Sequence, residues 1–168
     1  MQLICGNIVA LIGSLLMVYV GTKKDRKKII YIQTIQILAF TISTLILGGY
    51  TGTIVNLISI VRNVLCYKDN LTKHYKGLII LTSIVFSLAF NNLGILGLLP
   101  LISTIIYTIF VDVKTAIKLK LLIIFTVIFW LIYDILIKSY TSAVFDFFSI
   151  LFHSVTVYQL IHKKHFKK

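Results

Sequence analysis

Six polar side chains interrupt two of the most apolar stretches of the chain, and both sets have the same spacing. Each set occupies positions i, i+3 and i+7: Asn56, Ser59 and Asn63 in the first, and Asp146, Ser149 and His153 in the second. This spacing puts each set on one face of an α-helix. Because polar groups inside a membrane are costly, each needs a functional or a packing reason.

Two interpretations of these faces stay open. In the first, they line a hydrogen-bonding pathway for a polar solute, and Asp146 and His153 handle protons or cations. Asn56 and Asp146 would then form one layer of the pathway, with Asn63 and His153 a deeper one. In the second, the same groups only hold packed membrane helices together by interhelical hydrogen bonds.

A second polar and aromatic set belongs to two other apolar stretches. Its members are Gln33, Gln36, Phe40 and Ser43 or Thr44 in one stretch, and Trp130, Tyr133 and Asp134 in the other. Aromatic rings beside a carboxylate suit a substrate platform or gate, and they equally suit an aromatic belt at the membrane interface. We assign Tyr133 to the belt and leave both readings open for Trp130 and Asp134.

Arg62 and Pro100 are candidates for gating. Arg62 lies next to Asn63, near the inner end of span 3, and we expect its guanidinium to snorkel to the cytoplasmic headgroups. An ion-pair or gating role is the alternative. Pro100 lies inside an apolar run, where a missing backbone hydrogen bond can kink a membrane helix and form a hinge.

The composition indicates that lipid is the solvent of this protein. Of 168 residues, 58% are hydrophobic and only 13% are charged, about half the charged fraction of a soluble domain. The net charge of +12 comes without the aromatic-basic pattern of a nucleic-acid groove, so no nucleic acid is expected. No catalytic, metal-ligand or cofactor motif is found, so we expect no enzyme activity, no metal and no cofactor.

Apolar runs bounded by charge predict an all-α membrane protein with seven spans. They cover roughly 3–20, 29–47, 51–66, 77–90, 94–111, 119–137 and 142–161. Spans 3 and 4 are short, so a six-span arrangement with one of them re-entrant is the alternative. With the N-terminus outside, sixteen of the seventeen Lys and Arg residues lie on the cytoplasmic side or at its border. This asymmetry predicts a cytoplasmic C-terminus.

Residues 11–65 align without gaps onto residues 101–155. The alignment pairs Phe40 with Trp130 and Asn56 with Asp146. It predicts two parallel three-helix repeats, in a 3+1+3 arrangement. The repeats comprise residues 1–76 and 94–168, and residues 77–93 form the linker helix. Transporters with internal repeats bind their solute near the midplane between the repeats.

The segments Tyr50 to Asn63 and Trp130 to Tyr140, with Leu99 and Pro100, resemble the YgjV-type bacterial inner-membrane proteins over nearly the whole chain. The resemblance implies a location in the bacterial cytoplasmic membrane. Family members typically have Asn where this chain has Asp134. More distantly, the 3+1+3 plan is similar to the SWEET, PQ-loop and PnuC carriers. Here Leu101 follows Pro100, so the Pro-Gln pair of PQ-loop proteins is missing.

These observations together predict a small carrier for a polar metabolite that works by alternating access. The alternative is a membrane scaffold or sensor that transports nothing, whose polar faces only pack the bundle. The expected partners are membrane lipids and a polar small-molecule solute. The sequence leaves open whether a second copy of the chain is a partner as well.

Overall fold

The computed structural model describes residues 1–165, with side chains through residue 162. The basic tail from Lys163 to Lys168, which contributed to the predicted orientation, lies outside the described side chains. In the described part, the chain forms seven α-helices and no strand. They are α1 (Gln2–Thr22), α2 (Arg26–Ile46), α3 (Tyr50–Tyr67), α4 (Lys73–Ala89), α5 (Leu99–Phe110), α6 (Ala116–Leu136) and α7 (Tyr140–His165). A short 3-10 helix, Gly94–Leu98, precedes α5.

The distribution of polar and apolar residues is that of a protein in lipid. The outer surface carries long rows of exposed Leu, Ile, Val and Phe side chains, whereas polar residues outnumber apolar ones among the buried side chains of the described region. A soluble monomer rarely exposes so large a contiguous apolar surface. Four of the described helices, α1, α2, α6 and α7, are long and apolar enough to cross a membrane. The chain is therefore a multi-pass membrane protein.

Six of the helices form a closed ring, in the order α1, α2, α3, α5, α6, α7 and back to α1. The seventh, α4, packs outside this ring against α3 and α5. The ring brings the first three helices and the last three together at two seams, α3 with α5 and α7 with α1. Any site at the centre of the ring therefore lies between these two groups.

Local structure repeats at an interval of ninety residues. Helices α2 and α6 begin and end at positions ninety apart, and so do the starts of α3 and α7. The caps repeat as well: Asp25 accepts from the Lys28 backbone N–H at 2.8 Å, and Thr115 from that of Lys118 at 3.4 Å. Both residues are side-chain acceptors of the type that caps helix N-termini.

The turns that follow α2 and α6 also have the same geometry. Gly48 and Lys138, ninety residues apart, adopt the left-handed conformation with φ of 76° and 60°. In both turns the next backbone N–H bonds back to the helix, from Gly49 to the Thr44 carbonyl and from Ser139 to the Asp134 carbonyl, each at 2.8 Å. This is a helix C-terminus closed by a left-handed residue.

Pro100 does not kink a helix, so that prediction is wrong. Span 5 divides into the 3-10 helix and α5, and Pro100 lies in the first turn of α5. Backbone N–H groups in a first turn have no partner within the helix, so proline loses nothing there.

Candidate functional site

A cavity of about 80 Å³ lies inside the ring, between the two groups of three helices. Side chains from α1, α2, α3, α5, α6 and α7 line it, and α4 contributes none. The volume accommodates several water molecules, and it is well below the several hundred Å³ of a typical ligand pocket. The cavity therefore suits water or a solute of a few heavy atoms.

The cavity wall is built from residues that match at the ninety-residue interval. Fourteen of the eighteen lining residues form seven such pairs, so the cavity is centred between matched positions. The pairs are Met17 and Tyr107, Gln33 and Ile123, Gln36 and Thr126, Ile37 and Val127, Phe40 and Trp130, Thr44 and Asp134, and Asn56 and Asp146.

Two carboxylates share this cavity. Asp134 on α6 and Asp146 on α7 are only 6% and 3% exposed, and both line the wall. Neither forms a salt bridge with any residue described in the structure. The Oδ2 atom of Asp146 is fully buried and has no hydrogen-bond partner there. In the sequence the two aspartates stood apart on different helices, and only the packing of α6 against α7 brings them to one cavity.

Arg62 supplies the positive charge of the cavity, and its predicted snorkelling is wrong. Its side chain is 3% exposed, and the guanidinium lies over the ring of Tyr107 on α5, 4.3 Å from the ring centre. It donates to Oδ1 of Asn63 at 3.0 and 3.1 Å and to the Thr108 hydroxyl at 3.5 Å. The arginine points into the ring because α5 offers an aromatic face and hydroxyls within its reach.

Trp130 and Phe40 face the cavity, whereas Tyr133 has a structural role. The Tyr133 side chain is fully buried, so its assignment to an interface belt is wrong. Its hydroxyl accepts a hydrogen bond of 3.0 Å from the backbone N–H of Gly52, in the first turn of α3. That N–H has no partner within its own helix, and Tyr133 therefore fastens α6 to α3.

The structure brings together only part of the predicted pathway. Asn56, Ser59, Trp130, Asp134 and Asp146 line the cavity, as does Arg62. The predicted deeper layer is not part of it: Asn63 and His153 are buried away from the cavity, with Ser149. Ser149 bonds to the Nδ1 atom of His153 within α7, at 3.2 Å from its hydroxyl and 2.8 Å from its carbonyl.

The sequence analysis did not predict two features of the interior: the residues of α5 that line the cavity, and the buried Lys120. Ser103, Thr104 and Tyr107 of α5 line the cavity, and the match of Tyr107 to Met17 was the available signal. Lys120 is fully buried and donates to the Gly21 carbonyl at 2.7 Å, at the end of α1. A lysine there is favoured by the partial negative charge of a helix C-terminus. In the ninety-residue alignment Lys120 matches Ile30, an apolar residue within an apolar run, and this match was the available signal for its burial.

Comparison with protein families assigns the chain. The Imp-YgjV family, described as bacterial inner membrane protein, matches residues 4–164, nearly the full length. The chain belongs to the Imp-YgjV family. This agrees with the resemblance found in the sequence and indicates the bacterial inner membrane. No curated protein and no solved structure matches the chain.

In this Imp-YgjV protein the end of the bundle that carries the α1–α2, α3–α4 and α5–α6 connections is held by ion pairs. Asp69 pairs with Lys27 at 2.9 Å and with Arg26 at 3.5 Å, and Lys76 pairs with Asp112 at 2.8 Å. Arg26 also donates to the sulfur of Cys66 at 3.1 Å. Asp69 thus orients the arginine that covers the Cys66 thiol.

We expect Asp69→Asn to raise the rate at which Cys66 reacts with a water-soluble thiol reagent, by about threefold. The modest size reflects an exposed ion pair. The hydrogen bond from Lys27 lowers the pKa of Asp69 below its ordinary 3.8. The link is therefore complete above that value and is lost as the pH falls through the lowered pKa. The ratio of variant to wild-type rates should stay constant between about pH 5 and pH 8.

The rates are measured in a Cys5→Ser background, so that Cys66 is the sole thiol. Asp112→Asn is the matched control, because Asp112 pairs with Lys76 and makes no salt bridge to Arg26 in the described structure. An equal rise in both variants would contradict the role given to Asp69.

The opposite end of the bundle carries the α2–α3 and α6–α7 turns, and each turn is held by an asparagine from a distant part of the chain. Asn7 of α1 donates to the Lys138 carbonyl at 3.1 Å and accepts from the Thr141 N–H at 2.9 Å. Asn92, just before the 3-10 helix, donates to the Gly48 carbonyl at 2.9 Å. We call these two contacts the asparagine clasps.

Proposed function

We propose that the protein is a small carrier for a polar solute, which binds in the central cavity and crosses by alternating access. The carrier consists of two parallel three-helix repeats, α1–α3 and α5–α7, joined by α4, with all seven helices crossing the membrane. The N-terminus lies outside and the C-terminus in the cytoplasm. One repeat rocks against the other and opens the cavity to each side in turn.

The observation that carries this proposal is the matched wall of the cavity. A site between two similar units, lined by corresponding residues of each, is the arrangement that repeat-built carriers use. The equal bounds and the similar caps of α2 and α6 support the repeat. Each seam of the ring joins the third helix of one group to the first helix of the other, as a repeat requires. Two buried carboxylates that have no salt-bridge partner among the described residues support a functional cavity, because such groups are too costly to serve packing alone.

The competing function is a scaffold or sensor that transports nothing. It is favoured by buried polar groups that do join helices, such as Ser43, which donates to the Gly6 carbonyl at 2.8 Å, and Lys120, which donates to that of Gly21. These groups lie off the cavity and act as interhelical contacts. The two functions differ in whether the cavity is wet from both sides of the membrane.

Cysteine accessibility separates the two functions. In a Cys5→Ser/Cys66→Ser background, Asn56→Cys and Asp146→Cys would be exposed to a membrane-impermeant thiol reagent. The reagent is added first outside whole cells and then to inside-out vesicles. We expect both cysteines to react from both sides, at least about tenfold faster than cysteines that face lipid.

Matched controls lie on the same helices. Leu57→Cys and Phe147→Cys replace exposed apolar neighbours, 51% and 55% exposed, that face lipid. Asn63→Cys and His153→Cys replace polar groups that are buried off the cavity. Cavity cysteines that remain as inert as these controls would exclude the carrier and favour the scaffold or sensor.

A further inference from the structure

The charges that face the cavity do not balance. The ionisable side chains in its wall are Asp134, Asp146, Arg62 and Tyr107. With both carboxylates ionised and Tyr107 neutral, two negative charges face one positive charge, which leaves the cavity one positive charge short. Burying an unbalanced charge in a membrane protein is strongly unfavourable.

The arginine already has partners. Its guanidinium bonds to Asn63 and Thr108 and lies over Tyr107. It makes no salt bridge to either aspartate in the described structure. The positive charge that balances two ionised aspartates therefore comes from outside this set of side chains, as a bound proton or as a cationic ligand.

Unpartnered acceptors in the wall point to the same kind of ligand. Oδ2 of Asp146 and Oε1 of Gln36 are buried, and neither has a hydrogen-bond partner in the described structure. Both residues are more than nine-tenths buried and line the cavity. An ammonium group, with its three N–H donors and its charge, suits these acceptors. Nδ2 of Asn56, a buried donor that also lacks a partner in the described structure, would be satisfied by a hydroxyl on the same molecule.

We propose that the solute of this cavity is a small organic cation with a single ammonium group. The inference rests on the proposed function in taking the cavity as the solute site. The ammonium donates to Asp134, Asp146 and Gln36 and supplies the missing charge. The rings of Phe40 and Trp130, which also line the cavity, favour an organic ammonium over a bare metal ion, because aromatic faces attract such cations.

Trp130 provides a direct measurement, because it is the one tryptophan of the chain. Its fluorescence in the purified protein would be followed while methylammonium or ethanolammonium chloride replaces potassium chloride at constant ionic strength. We expect a saturable change with the ammonium salts. We expect no saturable change with methanol or ethylene glycol, which test a neutral polar solute. We also expect none with sodium chloride, which tests an inorganic cation.

Substitutions then assign the response to the carboxylates. Asp146→Asn and Asp134→Asn should each weaken the apparent affinity for the ammonium salt by at least about tenfold, which corresponds to 1.4 kcal/mol. Asp146→Glu, which keeps the charge, should retain saturable binding. This result would show that Asp146→Asn weakens binding through the lost charge and not because any substitution at position 146 causes misfolding. Asp69→Asn removes an exposed carboxylate at the end of the bundle and should leave the affinity unchanged.

The inference is overturned if methanol, ethylene glycol or sodium chloride changes the Trp130 fluorescence as the ammonium salts do. It is also overturned if Asp146→Asn and Asp134→Asn bind the ammonium salt as tightly as the wild type. These outcomes are distinct from failure of the carrier. If cavity cysteines react from both sides but ammonium has no effect, the carrier stands and the cationic solute is wrong. If ammonium binds but the cysteines react from one side alone, the site stands and transport is wrong.

Discussion

Gly52→Ala is expected to lower the free energy of unfolding by about 1–3 kcal/mol, the usual cost of overpacking a filled interior. A Cβ atom at position 52 would lie 2.7 Å from Cε1 and 2.9 Å from the hydroxyl oxygen of Tyr133. The Tyr133 ring is fully buried and cannot move aside without disturbing α6. Its displacement would also break the hydrogen bond from the Gly52 N–H. The measurement is an unfolding titration in mixed detergent micelles.

Gly77→Ala is the matched control for this variant. Gly77 also lies in a helix, α4, but a Cβ atom there would meet nothing within 4 Å. The same change should therefore be neutral or stabilising, by up to about 1 kcal/mol, because alanine favours a helix over glycine. Equal effects at the two positions would show that the contact between α3 and Tyr133 does not set the outcome.

Removing both asparagine clasps is expected to open the cavity at the end that carries the α2–α3 and α6–α7 turns. The Asn7→Ala/Asn92→Ala variant loses three hydrogen bonds that hold these turns: two from α1 to the α6–α7 turn and the start of α7, and one from the segment after α4 to the α2–α3 turn. At about 0.5 kcal/mol each, the low end for exposed bonds, the loss totals about 1.5 kcal/mol. That shifts the equilibrium toward the open form by about tenfold. A cysteine at position 56 should react about ten times faster with reagent added at that end.

Asn91→Ala serves as the control, because the Asn91 side chain bonds only to the nearby Leu93 and Gly94 in the described structure. It should leave the labelling rate unchanged. The side from which labelling accelerates also tests the proposed orientation, in which this end faces outward. No acceleration from either side would mean that the clasps do not hold the cavity closed.

The sequence by itself determined the membrane environment and the positions of the helices. Long apolar runs bounded by charge predicted seven helices, and the described structure contains helices at all seven places. Gapless matching paired Phe40 with Trp130 and Asn56 with Asp146, and both pairs line the cavity. These features were predictable because burial in lipid and helical periodicity act locally, within a turn or a run of residues.

The tertiary structure decided where each polar side chain points. His153 and Asn63 share a helical spacing with residues that line the cavity, yet both pack away from it, because a helix face is wide enough for neighbouring residues to meet different partners. Arg62 and Tyr133 face inward because α5 and the start of α3 offer partners that no local pattern reveals. Asp134 and Asp146 meet because α6 packs against α7, but the cavity that they line is enclosed by the six-helix ring, and ring closure depends on contacts between residues far apart in the chain.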